Sequence, residues 1–193
     1  GAVLLDSKAH SFYVRNEMDF STYGVRVSAG WREESFKRHQ LFAGDDSRLD
    51  VRLQAWEMGL SKSLTAQQSV YLRDAKSFRV PNLDEFTTPA YDLNGAIHLL
   101  PQTDRTRELG WKYADASKNS AGVRLYRTAL RHEIIYDPLQ YGNINLDQTR
   151  RQGADLYLQQ AVHPQVNLLG SLGLRQATVE RGLNAGKTLP MAA

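Results

Sequence analysis

The chain has 193 residues, 41% of them hydrophobic and 23% charged, with a formal net charge of +3 and no cysteine. That length suits one ordinary folded domain, and the composition is not that of a disordered chain. No stretch approaches the about 18 to 20 consecutive apolar residues of a spanning helix, which excludes an α-helical membrane protein. It leaves a β-barrel open, because barrel strands show lipid only every second residue. The missing cysteines exclude disulfides and thiolate metal sites. Basic residues interleave with acidic ones, without the one-sided cluster of a nucleic-acid surface, so no nucleic-acid partner is expected.

Period-2 alternation of apolar and polar residues recurs along the chain and predicts about eight strands. In Phe12 to Phe20, Phe12, Val14, Met18 and Phe20 share one face, with Asn16 the exception, opposite Tyr13, Arg15, Glu17 and Asp19. In Tyr23 to Arg32, Val25, Val27, Ala29 and Trp31 alternate with Arg26, Ser28, Gly30 and Arg32. Leu49, Val51, Leu53 and Ala55 alternate with Asp50, Arg52 and Gln54. Two less regular strands are expected at Thr65 to Phe78 and Gly122 to Tyr136; Arg127 interrupts the second, where a bulge would restore phase. Leu109, Trp111 and Tyr113 alternate with Glu108, Gly110 and Lys112, and Leu156 and Leu158 with Asp155 and Tyr157. Val166, Leu168, Leu172 and Leu174 close the series.

The connections alternate in length. Short ones fall near Ser21, Ser61 to Ser63, Asp115 to Ser120 and Ala161 to Pro164. Long ones fall near 37–48, 79–103, 137–145 and from Glu180 onward. This rhythm predicts an all-β, antiparallel up-and-down meander with short turns on one rim and long loops on the other. A Greek-key sandwich has no reason to keep it. Val25, Val27, Leu53, Leu156, Leu172 and Leu174 are expected on a convex outer face, with Arg26, Arg52, Asp155 and Arg175 on a concave one. The competing reading turns the apolar face inward, as in a soluble β-barrel or sandwich that binds a ligand.

Two motifs carry a resemblance. One is Leu72-Arg-Asp-Ala-Lys-Ser-Phe-Arg-Val-Pro-Asn-Leu-Asp-Glu-Phe86. The other is Leu100-Pro-Gln-Thr-Asp-Arg-Thr-Arg-Glu-Leu-Gly-Trp-Lys-Tyr113. A strand ending in Ser-Phe-Arg-x-Pro-x-x-Asp-Glu, a long loop, and a strand reading Glu-Leu-Gly-aromatic-Lys resemble the TonB-dependent receptors of Gram-negative outer membranes. Val27-Ser-Ala-Gly-Trp-Arg32, Glu133-Ile-Ile-Tyr-Asp-Pro138 and Asn143-Ile-Asn-Leu-Asp-Gln-Thr-Arg-Arg-Gln-Gly153 are similar to further strands of that family, in order. The resemblance runs over nearly the whole chain and places residues 1–193 in part of a large transmembrane β-barrel. It implies an outer-membrane, multi-pass location and lipid as a neighbour. It also implies a role in taking up a scarce nutrient: a ferric siderophore first, haem or cobalamin as alternatives. Family members are energised by TonB through an N-terminal plug. No plug or signal peptide is read here, and the run Gly186 to Met191 resembles a loop leading to a further strand, so an interior piece of a longer protein is expected.

No catalytic constellation is present, and no enzyme, cofactor or metal is expected. His10, His39, His98, His132 and His163 lack metal-ligand spacing, and Gly170-Ser-Leu-Gly173 is no nucleophile elbow. Asp45-Asp46 after Gly44 reads as a turn. His39, Arg79, Tyr91, His98 and Tyr141 lie in or beside the long connections and are the candidates for ligand contact. The arginines of the polar face are expected to pair with acidic neighbours, with steering of an anionic chelate as the alternative.

Overall fold

The computed structural model describes residues 4–42, 45–92, 95–96, 98–163, 165–182 and 184–189. Strand β1 (Leu4–Phe20) passes through a 3-10 turn at Ser21–Tyr23 into β2 (Val25–Phe42), followed by β3 (Asp45–Ser63) and β4 (Gln68–Arg79). A short helix α1 (Leu83–Thr87) and two-residue strands β5 (Tyr91–Asp92) and β6 (Gly95–Ala96) occupy the next connection. Then come β7 (Gln102–Ala114), β8 (Ser120–Asp137), β9 (Gly142–His163) and β10 (Val166–Val179). The eight long strands form one sheet in the order β1-β2-β3-β4-β7-β8-β9-β10, every neighbour antiparallel, with β5 and β6 paired apart. This is the expected meander.

Most strands are longer than the sequence segments suggested, up to 22 residues in β9, whereas β4 is shorter, 12 residues starting at Gln68 instead of Thr65. The loops expected at 37–48 and 137–145 are largely strand: β2 and β3 stay paired out to Phe42 and Asp45, and β8 and β9 to Asp137 and Gly142. Residues 80–101 remain the long connection. At the opposite rim the turns are tight and locally hydrogen-bonded. Gly24, at φ 58, closes the β1–β2 turn in a conformation that favours glycine. The Thr65 hydroxyl accepts from the Gln67 and Gln68 amides at 3.2 and 3.1 Å. Asp115 accepts from the Asn119 side chain, the Asn119 amide and the Ser117 amide. These bonds, that of the Asn119 side chain first, hold the Asp115 carboxyl below the usual carboxylate range.

Register fixes which residues share a face. One hydrogen-bonded row runs Met18–Val27–Leu60–Leu72–Leu109–Leu125–Ala154–Leu174 and is apolar in all eight strands. Its side chains stand about half exposed, Leu72 at 53% and Leu109 at 49%. The row one residue further along lies on the other face and reads Glu17–Ser28–Gly59–Arg73–Glu108–Tyr126–Gly153–Arg175. Val25, Val27, Leu156, Leu172 and Leu174 thus fall on one face and Arg26, Asp155 and Arg175 on the other, as expected. The upper edge of the apolar band slides from Phe12 in β1 to Leu174 in β10, and its lower edge from Phe20 to Leu168. A level band crossing tilted strands produces this stagger.

Toward the long-loop end the two faces exchange character. Above the apolar band the same face carries Glu33, Arg52, Asp74, Arg105, Arg107 and Arg127, while the formerly charged face turns apolar with Phe36, Ala75, Leu130, Ala177 and Val179. This corrects two expectations. Leu53 pairs with Glu34 and Arg52 with Ser35, so Leu53 shares the face of Arg26, and Arg52 that of Val27. The alternation in Leu49 to Ala55 is real, but it belongs to the part of the sheet beyond the band. Arg127 needs no bulge: it pairs with Gln152 in unbroken register, directly beyond Leu125 on the same face.

Candidate functional site

On the charged face, acidic and basic side chains alternate strand by strand. Glu57 of β3 accepts from Arg73 of β4 at 3.0 Å, and Arg73 reaches Glu108 of β7 at 3.3 Å. Glu108 lies 3.8 Å from Arg124 of β8. Arg124 donates to Asp155 of β9 at 3.0 Å through Nε, and Asp155 lies 4.0 Å from Arg175 of β10. Arg26 of β2 extends the pattern to Asp19 and Glu17 of β1. Between the charges, tyrosine rings lie flat over glycines of the neighbouring strand. A Cβ on Gly110 would come within 2.1 Å of the Tyr71 ring, and one on Gly122 within 2.3 Å of Tyr157. Lys112 and Arg124 cover Tyr71 and Tyr126 with centroid distances of 5.0 and 5.1 Å. The arginines of this face are thus paired. Of the ladder, the sequence pattern exposed Glu108, Asp155 and Arg175 but not Glu57, Arg73 or Arg124, which lie outside the alternating runs or in less regular strands. Their signal, one sign of charge per strand, becomes visible only once neighbours are known.

At the long-loop end, residues 80–101 fold over the apolar part of that same face. Asn82 starts α1 with a reciprocal capping box: its side chain accepts from the Glu85 amide at 2.8 Å, and Glu85 accepts from the Asn82 amide at 2.9 Å. Glu85 also receives the Arg79 guanidinium, 2.7 Å from both carboxylate oxygens. Arg38 of β2 donates to the Pro81 carbonyl at 2.9 Å. Two asparagines of β9 clamp the rest of the loop. The Asn143 amide group donates to the Thr88 carbonyl and hydroxyl at 2.9 and 2.8 Å. Asn145 accepts from the Leu100 amide at 2.7 Å and donates to the carbonyls of Leu100 and His132. Backbone pairing of Ala90 and Thr88 with Asn143 completes the seam, and Gly142 leaves the space there that Ala90 occupies. Pro81, Ala90 and Leu99 are buried under the roof. His132, at φ 54, interrupts the alternation so that Glu133, 5% exposed, meets Thr149 at 2.5 Å and Arg151.

The candidate residues all lie at this end. His39 is half-buried in β2, opposite Asp6 and Arg48. Arg79 ends β4 and is engaged by Glu85. Tyr91 opens β5; its side chain lies outside the described residues. His98 is exposed, and Tyr141 at the β8–β9 tip is 84% exposed at φ 50, next to the Gly142–Ala90 contact. The structure therefore groups Arg79 with the helix cap and Tyr141 with the clamped seam. Asn143 and Asn145 were missed. Their signal was two asparagines two residues apart, on one face of a strand leaving a hairpin tip. Among the described residues no group of three metal-ligating side chains forms. No helix is long and apolar enough to cross a membrane, which says nothing of crossing by strands.

The chain matches the family described as TonB dependent receptor-like, beta-barrel, over residues 4–193. It belongs to that family, whose members are outer-membrane transporters of Gram-negative bacteria and not enzymes. No curated protein sequence matches it. Among solved structures it is similar to the ferric-catecholate import receptor Fiu of E. coli K12, with TM-score 0.73 and 18% identity over 93% of this chain and 29% of that one. It is also similar to the ferric yersiniabactin uptake receptor FyuA of Yersinia pestis, with TM-score 0.74 and 14% identity over 98% and 30%. The copper transporter OprC gives TM-score 0.74 and 15% identity over 91% and 29%. At these identities the likeness is one of fold, and the chain spans less than a third of each. Membership sets aside the soluble ligand-binding module.

Proposed function

We propose that this chain is part of the barrel of a receptor that imports a ferric siderophore across the outer membrane, energised by TonB through a plug domain. Two of the similar structures carry ferric chelate receptors' names, while a third is a copper transporter, so the fold alone leaves the cargo open. The observation that carries the reading is the roofed long-loop end. A loop pinned by Asn143 and Asn145 carries the exposed His98, the exposed Tyr141 lies beside its seam, and Arg79 and His39 stand on the adjoining ends of β4 and β2. Exposed imidazole and phenol side chains of this kind suit contact with a bulky chelate outside the barrel. Below, the charged face is neutralised pair by pair, which suits a hydrated passage without a trap for an anion.

The test is uptake by cells whose only iron receptor is the full-length protein containing this chain. Radiolabelled ferric siderophores should accumulate, and deleting TonB should abolish the accumulation. Uptake of haem or of cobalamin alone would overturn the siderophore assignment while leaving family membership untouched.

A further inference from the structure

On the charged face, between the ladder and the short-turn rim, lies a pocket of about 380 Å³ lined by Tyr71, Lys112, Arg124, Asp155, Tyr157 and Arg175. Two adjacent rows of the register build it. The upper row reads Tyr71–Gly110–Arg124–Asp155–Gly173 and the lower one Ser69–Lys112–Gly122–Tyr157–Ser171. The ladder cancels charge pair by pair, but here one cation is left over. Asp155 takes Arg124 at 3.0 Å and has Arg175 at 4.0 Å, while Arg124 also lies 3.8 Å from Glu108. Lys112 has no ion pair among the described residues; its ammonium stands 5.0 Å from the centroid of the Tyr71 ring. Among those residues the hydroxyls of Tyr71, Tyr157 and Ser171 likewise have no hydrogen-bond partner. Both tyrosine rings are seated on glycines, Gly110 and Gly122, so the backbone and not a polar neighbour positions them. One unmatched cation and three unspent hydroxyls thus share a single cavity.

We infer that this pocket is a carboxylate-binding site on the inner wall of the barrel. The ligand's carboxylate pairs with the Lys112 ammonium and accepts hydrogen bonds from the hydroxyls of Tyr71, Tyr157 and Ser171. Hydrogen bonds of this kind, with one partner ionised, are stronger than neutral ones. With a single unmatched charge, the dissociation constant is on the order of 1 mM. Such a site holds an anion briefly and releases it, a resting point in a passage that is otherwise neutral. That the carboxylate belongs to the chelate in transit rests on the siderophore reading; the site itself does not.

Magnetic resonance of the full-length receptor in detergent, its lysines carrying isotope-labelled methyl groups, tests the site. The Lys112 signal, identified by its loss in Lys112→Arg, should shift on titration with benzoate and saturate with a midpoint on the order of 1 mM. The neutral isostere benzamide, or chloride at equal concentration, should leave it in place. Tyr71→Phe with Tyr157→Phe keeps both rings and should weaken benzoate binding at least about threefold. Lys37→Gln, which removes a cation already matched by Asp50, should change nothing. In cells, Lys112→Gln should lower the maximal rate of ferric siderophore uptake about three- to tenfold while leaving binding at the cell surface unchanged, and Lys112→Arg should restore the rate. Heat-modifiable gel mobility identifies the folded species; should the tyrosine double variant fail to fold, Tyr157→Phe alone takes its place. A Lys112 signal that ignores benzoate, responds equally to benzamide or chloride, or keeps its midpoint in the tyrosine variants would overturn the site. Unchanged uptake by Lys112→Gln would overturn the role in passage. A receptor that binds benzoate at Lys112 yet imports no siderophore would refute the cargo and leave the site standing.

Discussion

Glu108 sits between two guanidiniums with its side chain 12% exposed, whereas Arg73 and Arg124 on either side are 41% and 45% exposed. Replacing it by Gln keeps the shape and removes the charge that both arginines answer. Because the arginines retain partial access to water, the cost is below that of a fully buried pair, about 1–2 kcal/mol. Urea unfolding of the full-length receptor in lipid should show it as a lowered midpoint, and an unchanged midpoint would refute the ladder's contribution. Arg175→Gln at the open end, where the nearest carboxylate oxygen is 4.0 Å away, should cost less than about 0.5 kcal/mol. None of these pairings was readable in the sequence. Glu108 and Arg73 are separated by the whole 80–101 connection, and charge pairing across strands depends on register, which local alternation does not supply.

The loop over the upper face is held by side chains of one strand. Asn145 satisfies both backbone groups of Leu100 and the His132 carbonyl, so Asn145→Ala leaves three polar groups without their partner. The expected loss is about 1–3 kcal/mol of local stability, with the barrel unaffected. Limited proteolysis should register it as faster cleavage within 80–101 at unchanged global unfolding; equal cleavage would mean the loop is held by other contacts. At this scale the sequence was partly legible. The strand closing on Ser-Phe-Arg-x-Pro was read correctly, with Pro81 just beyond the end of β4, whereas α1 and its Asn82–Glu85 cap were not read. The strand extensions of β2, β3, β8 and β9 were not legible, because beyond the band polar residues face outward and apolar ones inward. Without knowing where the band ends, that reversal reads as loss of pattern.

The eight-strand sheet has β1 and β10 as its outer strands. Phe12, Val14, Met18, Leu172 and Leu174 on them are between 50% and 65% exposed. Surface of this kind, continuous across the band, is far larger than the few hundred Å² a soluble monomer shows, and unpaired strand edges recruit other chains. The 193-residue chain produced alone is therefore expected to aggregate or to require detergent. Light scattering that found a monodisperse monomer in plain buffer would contradict the lipid-facing assignment. The meander itself was legible from alternation and loop rhythm, since both follow from local chemistry. The membrane reading was not: a soluble barrel alternates in the same way, and the family motifs separated the two.

The strand-by-strand alternation of charge has a consequence for assembly. Glu57, Arg73, Glu108, Arg124, Asp155 and Arg175 give successive strands opposite signs, so each strand is complementary to its true neighbours and repels the next but one. A hairpin that skipped a strand would bring carboxylate to carboxylate or guanidinium to guanidinium, and a one-residue slip would turn the charge toward the apolar side. The ladder therefore favours the native strand order over one that skips a strand, each pair adding a small bias of about 0–1 kcal/mol.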